Sequence, residues 1–183
     1  MIGAQKGETA MDETEKISSA WQRSVRGLSR RPELGKVTHS VTARITEGLT
    51  CAVEAGGHRL VADQPEIAGG NNRGLPPSLY VETALASCLA IGYRQRFAAT
   101  GVPVRAIEVK VTATIDVCGQ YGLDDAKLGF DGPVSYAVRV DSPAAEERVL
   151  EVLDWVDAHS PLTNILRKPV DLRRELTLIR TDD

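Results

Sequence analysis

The stretch from residue 76 to 101 constrains this chain more than any other. Pro76 and Pro77 close a loop that passes through Gly69, Gly70, Asn71 and Asn72. Proline suits the first helical turn, where a missing N–H costs no hydrogen bond. A helix is predicted from Pro77 to Ala99, ended by Gly101 with Pro103 behind it. Ala84, Ala86, Ser87, Ala90 and Gly92 let neighbouring backbones approach closely, while Leu85, Leu89 and Ile91 supply apolar bulk. A helix that is apolar nearly all round belongs in a core or a subunit interface. The rest of the chain must therefore provide layers that wrap it.

Those layers are legible as two clusters of strands. Residues 36–46 alternate around Val37, Val41 and Ile45, residues 49–55 follow a Glu47-Gly48 turn, and Gly56-Gly57 leads into residues 58–62. Together they predict an antiparallel meander. After the helix, residues 104–117 alternate through Ile107, Val109, Val111 and Ala113 and predict one long strand, closed by Cys118-Gly119. Residues 120–132 are glycine-rich and acidic and are expected to loop, and residues 134–140 make another strand. Ser142, Pro143, Glu146 and Glu147 have the chemistry of a helix start, with Ser142 as the cap. Val149, Val152, Leu153 and Val156 give this second helix its buried stripe, His159-Ser160-Pro161 ends it, and residues 162–166 add a short helical turn. A final strand is expected over residues 170–179. Strands and helices come in clusters, so the fold class is α+β and not a parallel α/β sheet.

The N-terminal part reads separately. Residues 1–15 are polar and are expected to be disordered, with Met11 as an alternative start. From Lys16 to Arg31, Ile17, Trp21, Val25 and Leu28 recur at helical spacing beside Arg23, Arg26, Arg30 and Arg31. This amphipathic helix, stopped by Pro32, would either dock on the main body or a second subunit, the reading we favour, or serve a membrane or transit role. The chain thus divides into an extension, residues 1–35, and a main domain, residues 36–183.

Composition narrows the function classes. The chain has 183 residues and a formal net charge of −3, which disfavours nucleic acid as a partner. No apolar run is long enough to cross a bilayer and no secretory signal opens the sequence, so a soluble cytoplasmic protein is expected. Cys51, Cys88 and Cys118 are odd in number and far apart, which suits a reducing compartment better than a disulfide framework. His39, His58 and His159 form no ligand spacing with one another or with the cysteines, so neither a metal nor a cofactor is implied.

An ordered set of features resembles the OsmC/Ohr family. Asp63-Gln64-Pro65 leads to Gly69-Gly70, then to Pro76-Pro77 and a helix carrying Ala86-Ser87-Cys88; Gly101 precedes the long strand, and His159-Ser160-Pro161 follows the second helix. The resemblance spans about residues 36–180. It implies an intertwined homodimer, two curved antiparallel sheets around long central helices, and active sites at the subunit interface. In the family's peroxidases the helix cysteine, here Cys88, attacks a hydroperoxide. An Arg from an N-terminal strand, for which Arg44 is the positional candidate, assists it, held by a Glu near the helix start. A second cysteine before a proline resolves the sulfenic acid.

Two positions depart from that pattern: Ser78 follows Pro77 where the peroxidases carry Glu, and Ser160 stands where they carry the resolving cysteine. Glu82, one turn further along, is not a safe replacement for that Glu. A serine hydroxyl cannot form a disulfide with a sulfenic acid, so an internal two-cysteine cycle is ruled out at this pair. The candidate site residues are Cys88, Arg44 and Ser160. Chemically, a thiolate is the nucleophile that opens an O–O bond, and a mid-helix Cys88 is too far from the helix N-terminus to be activated by its dipole. The blander reading of Cys88 is a small hydrophobe in a helix interface. The leading functional reading is a peroxiredoxin-type thiol peroxidase reducing organic hydroperoxides with one cysteine and an external thiol reductant. A second is a non-catalytic binding protein for a small hydrophobic or thiol ligand at the dimer interface. A third is a protein-interaction domain that uses the N-terminal amphipathic helix.

Overall fold

The computed structural model describes residues 12–126 and 129–179. Four α-helices, α1 (Glu13–Arg30), α2 (Pro77–Thr100), α3 (Glu146–His159) and α4 (Pro161–Leu166), combine with seven short strands. The strands are β1 (Val41–Arg44), β2 (Cys51–Ala55), β3 (His58–Ala62), β4 (Ala106–Thr112), β5 (Ile115–Asp116), β6 (Gly129–Phe130) and β7 (Ser135–Asp141). All pairings between them are antiparallel: β1-β2-β3 form one sheet, β4-β7 a second, and β5-β6 a small ribbon. The α+β class read from the sequence stands.

The core is built on α2. Leu85, Leu89, Tyr93 and Phe97 recur every four residues, so they stack along one face, and all four are buried. Val152 and Val156 of α3 meet them from one side, and Ile107, Val109, Tyr136 and Val138 of the β4-β7 sheet pack from another. Gly92 sits where α2 crosses α3; a Cβ there would lie 3.0 Å from Val156 Cγ1. The Tyr93 hydroxyl donates to the Asp157 carboxylate. Burial first, and then this carboxylate, push the Tyr93 phenol far above its ordinary range.

The loop between β3 and α2 is organised around one buried carboxylate. Asp63 accepts from the Thr50 hydroxyl at 2.9 Å and from the backbone N–H groups of Gln64, Asn71 and Arg73. Burial acts to raise its pKa, but the bonds from Arg73, Thr50, Gln64 and Asn71 together outweigh it and hold the carboxyl below its usual value. The loop closes so tightly around this group that a Cβ on Gly74 would lie 2.0 Å from the Val61 carbonyl oxygen. The β2–β3 hairpin turns through Gly56 and Gly57 at φ of 55° and 81°, as a tight two-residue turn requires.

Several expectations need correction. β1 is confined to Val41–Arg44 within the predicted 36–46, and helix α1 begins at Glu13, inside the stretch expected to be disordered. The rest of that stretch, residues 1–11 with Met11, lies outside the described residues. The single strand over 104–117 is two, because β4 ends with its partner β7 at the Thr112–Ser135 pair and β5 then pairs with β6, inside the expected loop. Ser142 does not cap α3. Its hydroxyl accepts from the Ala144 N–H and donates to the Pro103 carbonyl, and the N-cap position is Ala145. The final strand expected over residues 170–179 is not formed: this segment carries no strand pairing among the described residues.

Candidate functional site around Cys88

Cys88 lies in the middle of α2, half-buried, on the face that also carries Ile91, Gly92 and Gln95. These positions follow Cys88 by three, four and seven residues, the spacing of one helical stripe. Facing them is the end of α3 and the turn into α4. The Cys88 Sγ lies 3.7 Å from the Ser160 Oγ, a contact in which either atom could donate. Ser160 is buried and doubly engaged: its hydroxyl accepts from the Thr163 N–H at 3.3 Å as the N-cap of α4, and its carbonyl accepts from Asn164. The HSP turn thus presents a fixed hydroxyl to the thiol.

A cleft of about 400 Å³ opens beside this pair. Its far wall is aromatic. Trp155 of α3 and Trp21 of α1 meet edge to face, with centroids 5.7 Å apart and planes at 66°. His159 stacks on the Trp155 indole at 4.1 Å and 10°. The His159 Nδ1 is 2.6 Å from the Trp155 carbonyl oxygen, which can only accept, so Nδ1 carries the proton and a neutral ring keeps its lone pair on Nε2. The Arg96 guanidinium carbon is 4.1 Å from the Trp155 ring centroid, and its Nε is buried without a hydrogen-bond partner among the described residues. The cation therefore lies over the π face of Trp155.

The structure brings Cys88 and Ser160 together, as the sequence suggested, and leaves Arg44 elsewhere. Arg44 ends exposed strand β1, opposite Ala52, and does not line the cleft. Its neighbours Ala43 and Ile45 line a different hollow of about 420 Å³, on the face of the β1-β2-β3 sheet, with Cys51, Val53 and Tyr80. Glu82 has one carboxylate oxygen buried without a hydrogen-bond partner among the described residues. All three cysteines are free thiols. Cys118 is held by its hydrogen bond with Asp116, whose charge also pushes the thiol pKa up, so it is a poor nucleophile. Trp21 and Trp155 are the wall residues that the sequence reading missed. Trp155 precedes His159 by four positions and so shares its helical face, a signal present in the spacing; nothing local ties Trp21 to either.

The model of the OsmC-like protein family matches residues 69–175, more than half of the chain. The chain belongs to this family. Among solved structures, the OsmC-like chain is similar to an OsmC-like protein from Mycoplasma pneumoniae (18% identity over 72% of this chain and 89% of that one, TM-score 0.62). An organic hydroperoxide resistance protein from Legionella pneumophila is similar at 14% identity over 72% and 90%, with a TM-score of 0.54. Another, from Elizabethkingia anophelis, is similar at 16% identity over 72% and 89%, with a TM-score of 0.55. At these identities the likeness is one of fold. A comparison with curated proteins found no match. Among the described residues no helix is long and apolar enough to cross a membrane, and no cluster of His, Cys, Asp and Glu could hold a metal ion.

Proposed function

We propose that this OsmC-like protein reduces organic hydroperoxides through Cys88 alone. The observation that carries the reading is the Cys88 thiol, 3.7 Å from the buried Ser160 hydroxyl, at the base of an apolar cleft. The Cys88 thiolate attacks the terminal oxygen of ROOH. An S–O bond forms, the O–O bond breaks, and the alkoxide leaves and takes a proton as ROH, so that sulfur is oxidised to sulfenic acid. Ser160 can hydrogen-bond that acid but cannot condense with it. An external thiol therefore forms a mixed disulfide with loss of water, and a second thiol releases Cys88 as the free thiol. In this reading residues 36–183 form the functional domain, residues 1–35 are an extension upon it, and the protein works in the cytoplasm.

The assembly proposed is a homodimer. It is supported by the exposed apolar residues Leu172, Leu176, Leu178 and Ile179 at the end of the chain and by the open apolar hollow of the β-meander, which a second copy would cover. Such a dimer would also allow Arg44 of one copy to approach Cys88 of the other, a pairing not made within one chain. One observation favours the second reading, a binding protein without turnover: among the described residues, no Lys or Arg of the same chain lines the cleft to hold a thiolate.

Reduced protein mixed with cumene hydroperoxide and analysed by mass spectrometry decides between them. Rapid oxidation at Cys88, absent in Cys88→Ser, is expected. A thiol unchanged under excess peroxide would overturn the peroxidase reading.

A further inference from the structure

We infer that Trp21, on the N-terminal helix α1, is a specificity-determining residue of the Cys88 cleft and selects hydroperoxides with an uncharged, bulky aromatic body. This inference rests on the proposed peroxidase reading for its reaction, but its binding claim can be tested apart from turnover. Helix α1 lies outside the stretch that matches the family model, residues 69–175. It packs on α2, and its Trp21, Ile17 and Ala20 border a groove shared with Ile91 and Gln95. Trp21 also lines the cleft that Cys88 opens onto. The extension is therefore part of the site wall.

The chemistry of the wall defines what it accepts. Of the residues that line the cleft, none is Asp, Glu, Lys or Arg. Its polar members are the Gln95 amide, the His159 imidazole and the Ser160 hydroxyl, so a ligand bearing a carboxylate or phosphate would lose its hydration there with no Lys or Arg of the described lining to balance its charge. The Arg96 guanidinium lies over the Trp155 ring. Trp155 itself is braced by His159 and Arg96, so it cannot easily turn away. Trp21 meets it edge-on, and the two indoles offer ring faces and edges at a steep angle. An aryl group entering beside Cys88 can pack against both, each in an offset or edge-to-face geometry. Hydrogen peroxide has no apolar body for the Trp21 ring to hold.

The test compares cumene hydroperoxide with hydrogen peroxide as substrates of the full-length wild-type, Trp21→Ala and Trp21→Phe proteins. In parallel, binding of cumyl alcohol, the non-reacting product, is measured by calorimetry in a Cys88→Ser background. Trp21→Ala is expected to raise KM for cumene hydroperoxide about five- to tenfold, the range of one aromatic contact, with kcat changed less than about twofold and hydrogen peroxide turnover lowered by a clearly smaller factor. Cumyl alcohol affinity is expected to fall by the same factor, and Trp21→Phe to retain most of both. If Trp21→Ala fails to fold by circular dichroism, Trp21→Leu, which keeps apolar volume without the ring, carries the same comparison. Unchanged KM and unchanged cumyl alcohol affinity would overturn the inference and leave the peroxidase reading intact. An equal loss with both peroxides would also overturn it, as general damage to the site. No turnover by the wild type, with Trp21-dependent binding of cumyl alcohol, would overturn the peroxidase reading and leave the assignment of Trp21 standing.

Discussion

In the proposed peroxidase cycle, Ser160 sets how the Cys88 chemistry ends. Its Oγ stands 3.7 Å from the Cys88 Sγ, and its own turn holds it there through the Thr163 N–H and the Asn164 amide. Replacing that oxygen with sulfur places a second thiol where only a hydroxyl now stands. Ser160→Cys is expected to form an intramolecular disulfide with Cys88 after one equivalent of cumene hydroperoxide, read by intact mass as the loss of two hydrogens and reversed by dithiothreitol. Failure to form it while Cys88 still oxidises would show that the two Cα atoms are too far apart for a disulfide. The pair was legible only through the resemblance to the OsmC/Ohr family, in which the Ala-Ser-Cys run of the long helix and the His-Ser-Pro helix end match the two active-site positions. The aromatic wall was not. Trp21 and Trp155 come from opposite ends of the chain, and only the docking of α1 and α3 on the same face of α2 makes them neighbours.

At the scale of elements, the helices were the most readable because their ends are written in backbone chemistry. Pro77 starts α2, and Gly101, at a φ of 69°, ends it, each at the position the sequence indicated. Strand ends lack such markers. The alternation through Val109, Val111 and Ala113 reports which side chains face the core, but it does not report where one partner strand stops and another begins. Ser142 misled for a related reason: a serine that accepts from the N–H two residues on uses the same chemistry as a helix cap, three residues before the real start. Since α2 is the scaffold of both core and site, its packing stripe should be the most sensitive to truncation. Leu89 is fully buried and adjacent in sequence to Cys88. Leu89→Ala is expected to cost about 2–5 kcal/mol in urea unfolding. A loss below about 1 kcal/mol would mean that the helix is not held by this stripe.

For the whole molecule, the end of the chain carries the clearest unspent pattern. Val170, Leu172, Leu176 and Leu178 fall on one two-residue period, interrupted by Arg174, and Leu172 remains 90% exposed. The expected final strand over residues 170–179 has no partner among the described residues: apolar alternation reports faces, but a strand also needs a neighbour. The double substitution Leu172→Asp with Leu178→Asp is expected to weaken self-association at least tenfold in sedimentation velocity while leaving the circular dichroism of the separated chain unchanged. Unaltered association would remove this segment from the proposed dimer contact.

The hollow on the meander face contains Cys51, a thiol with no part in the proposed chemistry. Its position makes it a native reporter group. If a second copy seals that hollow, Cys51 becomes shielded from alkylating reagents in proportion to the fraction assembled, whereas Cys88 answers to whatever occupies its own cleft. Assembly and ligand occupancy would then be recorded by two different sulfur atoms in one unlabelled protein.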